Sequence, residues 1–190
     1  MIKQFFYKAF ISSNYFYLKK KFKKIRLVVT DVDGVLTDGG IYLDNNGQII
    51  RKFNVKDGMG IKLLQEIGIK VAFLSGGSGK SIIERAKQLN VDYCLTEIQD
   101  KVLALKKLQK DLNIKKESTL FIGDDLNDIP VKDNVSLLIS PNDAVQSYKL
   151  ISDFLLKSNG GEGAFRELAE MILKSKKKYN FFTKGFYKRN

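Results

Sequence analysis

Leu27-Val-Val-Thr-Asp31-Val-Asp33-Gly-Val-Leu-Thr-Asp38 joins an apolar strand pattern to a pair of carboxylates. Asp31 and Asp33 are two positions apart, so their side chains share one face of an extended chain. In open α/β sheets, ligands bind at the carboxyl ends of the strands. Two neighbouring carboxylates repel each other and cannot both leave water without a cation. The stretch therefore predicts an α/β protein that binds a hard divalent metal ion, which prefers oxygen ligands.

A second acidic cluster follows another apolar strand pattern further along the chain, in Leu120-Phe-Ile-Gly-Asp124-Asp125-Leu-Asn-Asp128. The two clusters can meet if their strands are neighbours in one parallel sheet, because parallel strands end at the same edge. Each cluster alone has an ordinary explanation, since Asp31 could cap a helix and residues 124–128 could form a polar turn. The repeated pattern of a strand followed by acids favours one shared metal site.

Four motifs in register resemble the small, capless branch of the haloacid dehalogenase-like phosphatases. They are Asp31-Val-Asp-Gly-Val-Leu-Thr-Asp-Gly-Gly40, Phe53-Asn-Val-Lys-Asp-Gly-Met-Gly-Ile61, Gly123-Asp-Asp-Leu-Asn-Asp128 and Gly160-Gly-Glu-Gly-Ala-Phe-Arg-Glu167. This branch contains the 3-deoxy-D-manno-octulosonate 8-phosphate phosphatases, the nonulosonate 9-phosphate phosphatases and the phosphatase-like domain of some acylneuraminate cytidylyltransferases. The resemblance implies a Rossmann-like parallel sheet with helices on both faces, a β-hairpin inserted after the first strand, and no cap domain.

The resemblance also implies a Mg²⁺-dependent phosphomonoester hydrolase that works through an aspartyl-phosphate. Asp31 is the implied nucleophile, and Asp33 is the implied acid–base that protonates the leaving oxygen. Asp31, the backbone carbonyl of Asp33 and Asp124 are the implied metal ligands, while Asp125 and Asp128 would position ligands around the ion. The chain contains no histidine, so carboxylates are expected to carry any acid–base chemistry.

Two further segments resemble the family's phosphate contacts. Ser75 follows an apolar run, and its hydroxyl could hold phosphate oxygens together with the backbone N–H groups of Gly76 and Gly77. The same glycine-rich loop could equally be a flexible turn. Lys101 opens a helical pattern at the position of the family's phosphate-binding lysine, although a lone lysine is more often simply solvated.

The resemblance assigns substrate contacts to Asp33 and to eight other residues: Asn54, Val55, Lys56, Asp57, Gly58, Lys62, Arg85 and Arg166. A keto sugar acid carries its own carboxylate, with which Lys56, Lys62 or Arg85 could pair. Exposed helix faces would also explain Lys62 and Arg85, and a salt bridge within one helix would explain Arg166. In the family, the motif that contains Arg166 reaches the site of a neighbouring subunit.

One position departs from the family pattern. The octulosonate enzymes usually have Thr-Gly-Arg where this chain has Ser75-Gly76-Gly77, and some nonulosonate enzymes have Glu at the last of these positions and Lys in the next helix, where this chain has Gln88. Neither specificity signature is present. We expect 3-deoxy-D-manno-octulosonate 8-phosphate as the substrate, with a nonulosonate 9-phosphate as the alternative. A non-catalytic oligomerisation or anionic-surface-binding module is the alternative from a different class.

The positive charge lies at the two ends of the chain. Of the 33 Lys and Arg residues, 15 fall within residues 1–30 and 171–190, which contain no acid. Because the charge belongs to the tails, we expect no nucleic-acid partner; the partner that the family resemblance implies is a small sugar phosphate. The chain divides into a basic aromatic N-terminal extension (1–24), a phosphatase domain (25–174) and a basic tail (175–190). The extension is too polar to span a bilayer, but it could lie on an anionic membrane surface; a solvated extension is the simpler alternative.

Local patterns place strands and helices in alternation, which is typical of a parallel sheet. The turn Asp44-Asn-Asn-Gly47 predicts the hairpin. Asp57 is expected to cap the first helix of the domain, and a helix is expected just after Pro141. The end of the chain from residue 174 loses periodicity and is expected to be loose. A single cysteine, Cys94, fits a reducing, cytoplasmic location, and the family resemblance implies a homotetramer.

Overall fold

The apolar runs of the sequence form the strands of one parallel sheet. The computed structural model describes residues 18–185. Within them, the chain forms strands β1 (Leu27–Thr30), β2 (Tyr42–Leu43), β3 (Ile49–Ile50), β4 (Lys70–Leu74), β5 (Tyr93–Leu95), β6 (Thr119–Ile122), β7 (Leu137–Ser140) and β8 (Phe154–Leu155). The six-stranded sheet has the order β5-β4-β1-β6-β7-β8 and is parallel throughout, while β2 and β3 form an antiparallel hairpin.

Helices cover both faces of the sheet. They are α1 (18–24), α2 (Val55–Glu66), α3 (Lys80–Gln88), α4 (Lys101–Asp111), α5 (Gln146–Ile151), α6 (Ala164–Ser175) and α7 (Tyr179–Gly185), with 3-10 segments at Lys116–Ser118 and Leu126–Asn134. Alternate strand residues face opposite sides, so Val28 packs with α1, α2, α3 and α6, whereas Leu27 and Val29 pack with α4 and α5. The predicted fold class is confirmed.

The central strands are buried along their whole length. All four residues of β1, β6 and β7 are buried, as expected for strands covered by helices on both faces. Each fully buried large apolar side chain contributes roughly 1.5–3 kcal/mol to folding. This core holds the strand ends in place, and the strand ends carry the polar residues.

The strand register aligns three polar segments at one edge of the sheet. Thr30 at the end of β1 pairs with Phe73 of β4 on one side and with Ile122 of β6 on the other. The next residues along these strands are Asp31, Leu74 followed by Ser75, and Gly123 followed by Asp124. The backbone N–H of Asp31 donates to the carbonyl of Ile122 at 2.9 Å, which extends the ladder into the site.

The structure corrects the predicted start of α2. Asn54 is the N-cap, and its side chain accepts from the N–H of Lys56 at 2.8 Å. Asp57 lies inside the first turn, is 2% exposed, and faces α6. The cap prediction was wrong because Asn and Asp are both good N-caps, and the choice between them depends on where α6 packs.

Two other predictions near the end of the sheet were incomplete. The helix after Pro141 begins only at Gln146, and the short strand β8 was not predicted. Only two residues of β8 pair with β7, so β8 has too little pattern of its own to be found in a sequence.

Both ends of the described chain pack on the body. Leu18 and Phe22 of α1 belong to the buried core, so the body includes residues that the sequence analysis placed in the extension. Tyr179 and Phe182 of α7 pack against the same core, and the prediction of a loose end was therefore wrong for residues 179–185. The proposed surface role of the basic aromatic segment falls mainly on residues 1–17, which lie outside the described residues. Among the helices of the described chain, none is long and apolar enough to cross a membrane.

Candidate active site

Three carboxylates meet at the carboxyl edge of β1 and β6. Oxygens of Asp31, Asp124 and Asp128 all lie within 4.8 Å of one another. Asp31 and Asp124 come from the ends of the two central strands, and Asp128 from the 3-10 segment that follows β6. Oxygen ligands at this spacing suit a hard divalent cation. The structure thus brings together Asp31 and Asp124 as the sequence predicted, and adds Asp128 to the same group.

Lys101, at the first position of α4, joins two of these carboxylates. Its ammonium nitrogen donates to Asp31 Oδ2 at 2.8 Å and to Asp128 Oδ1 at 2.6 Å. The lysine side chain is 3% exposed and that of Asp128 is fully buried. Asp100 caps α4 by accepting from the N–H of Leu103, and so fixes the turn that carries the lysine. The predicted phosphate-binding lysine therefore stands inside the carboxylate cluster.

The charges of this cluster do not balance within the protein. Burial, and then the charge of Asp128, raises the pKa of Asp31 to about 7. Burial, and then the charge of Asp31, raises the pKa of Asp124 to about 8. Burial by itself lowers the pKa of Lys101. The charges of Asp31 and Asp128 outweigh burial, so the pKa of Lys101 is raised. Three acids face a single ammonium, so the site is chemically suited to one additional cation.

Two glycines let the backbone approach these acids closely. Gly34 has φ +82°, and any side chain there would collide with the Asp124 carboxylate. A side chain at Gly123 would collide with the Asp128 carboxylate in the same way. Asp128 Oδ2 accepts from the N–H of Asp124 at 3.0 Å, and Asp125 caps the 3-10 segment. Asp125 and Asp128 therefore hold the loop that presents Asp124.

The Ser75 loop closes the edge beside β1. Ser75 is buried, and its Oγ accepts from the N–H of Gly77 at 3.0 Å. The hydroxyl proton remains available to an incoming anion. Gly76 is exposed, so its backbone N–H can also be reached from solvent. This arrangement supports the predicted phosphate contacts of Ser75 and Gly76.

Asp33 does not join the cluster and is paired elsewhere. Its two carboxylate oxygens accept from Arg51, at 2.6 Å from Nε and 3.1 Å from Nη2. Arg51 follows β3, and the sequence analysis did not identify it. A single cation in a hairpin strand gives no recognisable signal, because its partner is 18 positions away. The hairpin therefore contributes directly to the site.

Some of the predicted substrate residues at the start of α2 are exposed, and others form hydrogen bonds within the protein. Val55 and Lys56 are exposed, whereas Asn54 both caps α2 and donates to the carbonyl of Gly161 at 3.0 Å. Asp57 accepts from the N–H groups of Gly163 and Arg166, at 3.3 and 2.8 Å. These bonds join α2 to the Gly160–Glu167 motif, so two of the four motifs are held together by Asp57.

The remaining candidates lie on helix surfaces. Arg85 donates to the carbonyl of Asn54 at 3.2 Å and to Gln88 at 2.6 Å, beside Gly58, which leaves room for the guanidinium. Arg166 forms a salt bridge with Glu170 one turn along α6. Lys62 is exposed and lines a depression of about 630 Å³ near the amino end of β4. Within one chain, the structure does not bring Lys62 to the carboxylate cluster.

The fold and this cluster agree with comparisons to known proteins. Residues 55–131 and residues 95–168 each match a family described as haloacid dehalogenase-like hydrolase. The chain is 38% identical over 173 residues to the 3-deoxy-D-manno-octulosonate 8-phosphate phosphatase of Haemophilus influenzae, covering 90% of this chain and 96% of the relative.

Solved structures show the same relationship. A crystal structure of the 3-deoxy-D-manno-octulosonate 8-phosphate phosphatase from Moraxella catarrhalis, in complex with magnesium ion, phosphate ion and KDO, has a TM-score of 0.87 and 34% identity. It covers 90% of this chain and 98% of that one. The cobalt-bound form of the Haemophilus influenzae phosphatase has a TM-score of 0.85 and 38% identity, covering 88% and 99%.

The chain is an enzyme of the haloacid dehalogenase-like hydrolases. Within that class, it belongs to the family of 3-deoxy-D-manno-octulosonate 8-phosphate phosphatases. The resemblance drawn from the four motifs and the prediction of a phosphatase are confirmed.

Proposed function

We propose that this chain is a Mg²⁺-dependent phosphatase that hydrolyses the phosphomonoester of a keto-deoxy sugar acid, with 3-deoxy-D-manno-octulosonate 8-phosphate as its substrate. The observation that carries the proposal is the cluster of Asp31, Asp124 and Asp128 around Lys101, at the same edge of the sheet as the Ser75 loop. An anion that enters here meets the Ser75 hydroxyl and the exposed backbone of Gly76, and the buried Lys101 ammonium lies within the cluster. A carboxylate nucleophile stands among them.

The reaction assigned to these residues has two halves. Asp31 attacks phosphorus, and the bond from phosphorus to the sugar oxygen breaks as the aspartyl-phosphate forms. Asp33 gives a proton to the leaving oxygen. Asp33 then takes a proton from a water molecule, which attacks the same phosphorus and releases inorganic phosphate and the Asp31 carboxylate. Ser75, Gly76 and Lys101 hold the phosphate oxygens during both halves.

The cluster fits a divalent cation because its three acids exceed the single ammonium. Asp31 and Asp124 would hold Mg²⁺ with the backbone carbonyl of Asp33, while Asp125 and Asp128 would keep the loop in place. The ion supplies neutralising charge between the nucleophile and an anionic phosphate. Lys101 and the backbone N–H of Val32 orient Asp31, because they donate to its Oδ2 and Oδ1 at 2.8 and 2.6 Å.

The substrate assignment rests on the relatives and on the open shape of the site. The described insertion after β1 is a short hairpin, so a sugar of eight or nine carbons can enter without opening a cap. Lys56 is exposed in the first turn of α2, two residues after the N-cap Asn54, and a sugar-acid carboxylate could pair with the lysine. A nonulosonate 9-phosphate remains the second candidate, because Gly77 and Gln88 carry neither specificity signature.

We also propose that the enzyme works as a cytoplasmic homotetramer assembled through the hairpin. The apolar side chains of Ile41 and Leu43 are 66% and 67% exposed, and that of Ile50 on the paired strand of the hairpin is 54% exposed. Clustered exposed apolar side chains of this kind mark a protein interface. A neighbouring subunit seated there would cover the open site and could bring Arg166 towards it. The basic tails could add contact with an anionic membrane surface.

Phosphate release over a panel of sugar phosphates tests the proposal. We expect the highest kcat/KM with 3-deoxy-D-manno-octulosonate 8-phosphate in the presence of Mg²⁺, and little release in EDTA. A preference for a nonulosonate 9-phosphate would select the second candidate. If the full chain released no phosphate from any of them but bound anionic vesicles, the non-catalytic alternative would be correct.

The variant Asp31→Asn tests the mechanism itself. Asn has nearly the same shape but is not a nucleophile, so turnover should fall by on the order of 10⁴-fold or more while the circular dichroism spectrum stays unchanged. Substantial Mg²⁺-dependent turnover by this variant would disprove the aspartyl-phosphate route.

A further inference from the structure

The contact between Arg51 and Asp33 is the tightest polar contact between the hairpin and the body of the protein. Nε of Arg51 donates to Asp33 Oδ1 at 2.6 Å, and Nη2 donates to Oδ2 at 3.1 Å. A guanidinium that meets a carboxylate through two parallel bonds fixes the plane of the carboxylate as well as its position. Both oxygens of Asp33 are therefore oriented from the hairpin.

The guanidinium is buried although the carboxylate is partly open. The Arg51 side chain is 2% exposed, and that of Asp33 is 35% exposed. The third nitrogen, Nη1, donates to Ser81 Oγ at 3.1 Å, and that hydroxyl donates to the carbonyl of Ile49 at 3.4 Å. Ser81 of α3 thus bonds both the arginine side chain and the strand that precedes it, while the other two nitrogens of Arg51 bond Asp33.

Two glycines leave the space that this arginine occupies. A Cβ at Gly77 would lie 2.8 Å from Asp33 Oδ2 and 3.1 Å from Arg51 Nη2. The same Cβ would lie 3.3 Å from Ser75 Oγ, so Asp33 Oδ2 faces the loop that would hold the phosphate. A Cβ at Gly79 would lie 2.9 Å from Arg51 Nη1. The absence of side chains at both positions is what allows the hairpin arginine to enter.

We propose that Arg51 is the positioning residue for Asp33, an inference that rests on the phosphatase function proposed above. The short Nε–Oδ1 bond holds the carboxyl group, and Oδ2, which has the longer bond and faces the Ser75 loop, is the oxygen that exchanges a proton with the leaving group. In this chain, the hairpin thereby orients the acid–base residue. This contact also explains the glycine at position 77, where a side chain would crowd both Asp33 and Arg51. Arg51 acts through its bonds to Asp33 and is assigned no contact with the phosphorus or the leaving oxygen.

A comparison of two leaving groups in the variant Arg51→Gln tests this role. A sugar alkoxide needs a proton as it leaves, whereas p-nitrophenolate does not. In single-turnover measurements, we expect the rate of sugar release to fall by roughly 10²-fold, within the usual range for acid–base catalysis, with substrate affinity nearly unchanged. The rate of p-nitrophenolate release should fall less than about threefold, whereas the later hydrolysis of the aspartyl-phosphate, which also uses Asp33, should slow with both substrates. Arg51→Lys keeps the charge but only one donor, and should lie between the wild type and Arg51→Gln.

Two further variants separate this role from simple loss of structure. Lys52→Gln removes the neighbouring exposed salt bridge of the hairpin, between Lys52 and Asp38, and should leave both activities unchanged. Gly77→Ala places a methyl group against Asp33 Oδ2 and Arg51 Nη2 and should reproduce the selective loss in the rate of sugar release. An effect through the nearby Ser75 hydroxyl would instead slow the release of both leaving groups. In the Arg51→Gln background, the same alanine should have a smaller effect than in the wild type.

Three results would overturn the role proposed for Arg51. Equal losses in the rate of leaving-group release from both substrates, or no loss in Arg51→Gln, would overturn the assignment of Arg51. Additive effects of Arg51→Gln and Gly77→Ala would overturn it as well. If the wild type itself released no phosphate from either substrate with Mg²⁺, the proposed function would fail instead, so the two failures are distinguishable.

Discussion

The inner and outer halves of the active site are built in different ways. The inner half consists of Asp31, Lys101 and Asp128, all buried and held by the ends of β1, β6 and α4. The outer half consists of Asp33 and Arg51, and it depends on a hairpin whose own apolar side chains are exposed. The inner half is fixed by the core of the fold, whereas the outer half is fixed by an insertion.

This difference separates two requirements of the proposed reaction. The buried half lies in a region of low dielectric, where each charge interacts strongly and an unpaired charge is expensive. The half-open acid–base carboxylate must exchange protons with water and with a leaving group, so it needs access. Changes in the inner half should therefore affect stability as well as activity, and changes in the hairpin should affect stability little.

The variant Lys101→Met should give the largest change in stability. It leaves Asp31 and Asp128 buried without their shared cation, and breaking a buried ion pair on one side costs roughly 3–5 kcal/mol. Urea unfolding of the metal-free protein measures this loss in the free energy of unfolding. Lys107→Met, at an exposed position on the same helix, is the control and should change it by less than about 0.5 kcal/mol. Equal stability of the two variants would show that the cluster does not need its ammonium group.

Asp124→Asn should have the next largest effect, through metal binding. At a Mg²⁺ concentration of 100 times Kd, binding stabilises the folded wild type by about 2.7 kcal/mol, and the variant should lose most of this gain. Titration calorimetry with Mg²⁺ measures the affinity directly. Asp125→Asn keeps the cap of the 3-10 segment and should bind Mg²⁺ much as the wild type does. If both variants lost the metal equally, Asp124 would not be distinguished as a ligand.

The variant Asp124→Asn should also change how the stability of the metal-free protein depends on pH. Burial and neighbouring acids raise the pKa of Asp124 from its usual 3.8 to about 8 in the folded chain. Stability from the neutral acid is present at low pH and is lost as the pH rises through the folded pKa. Between about pH 4 and pH 8, unfolding in EDTA should therefore show a steeper loss of stability for the wild type than for Asp124→Asn.

The hairpin should give the smallest change in stability of the subunit. Ile41→Ser combined with Leu43→Ser removes exposed apolar side chains, and surface changes usually alter stability by less than about 0.5 kcal/mol. We nevertheless expect light scattering to show smaller assemblies, because the proposed tetramer interface would lose its apolar contacts. An unchanged molecular mass would show that Ile41 and Leu43 do not form the subunit interface.

The sequence predicted the inner half of the site better than the outer half. Asp31 and Asp124 follow apolar strands, and that pattern predicted that they would meet if their strands were neighbours in one parallel sheet. Arg51 gave no such signal, and Asp57 was taken for a helix cap although it joins α2 to α6. Local patterns report which residues end a strand, but they do not report which distant element packs against them.

The ends of the chain show the same limit. A loose end was expected from residue 174 onwards, yet Tyr179 and Phe182 of α7 pack on the core near Leu18 and Phe22 of α1. Neither helix has a strong pattern of its own. Both helices are positioned by packing their apolar side chains on the core that α6 also covers.

The sequence by itself determined the alternation of the main strands and helices, the two acidic strand ends and the family, because each of these depends on short-range periodicity and spacing. Tertiary structure alone decided that Lys101 joins Asp31 to Asp128, that Arg51 holds Asp33, and that Gly77 lies beside this pair. Those contacts bring together residues that are 18 to 70 positions apart. Their energies exist only once the sheet has set the distances between the groups.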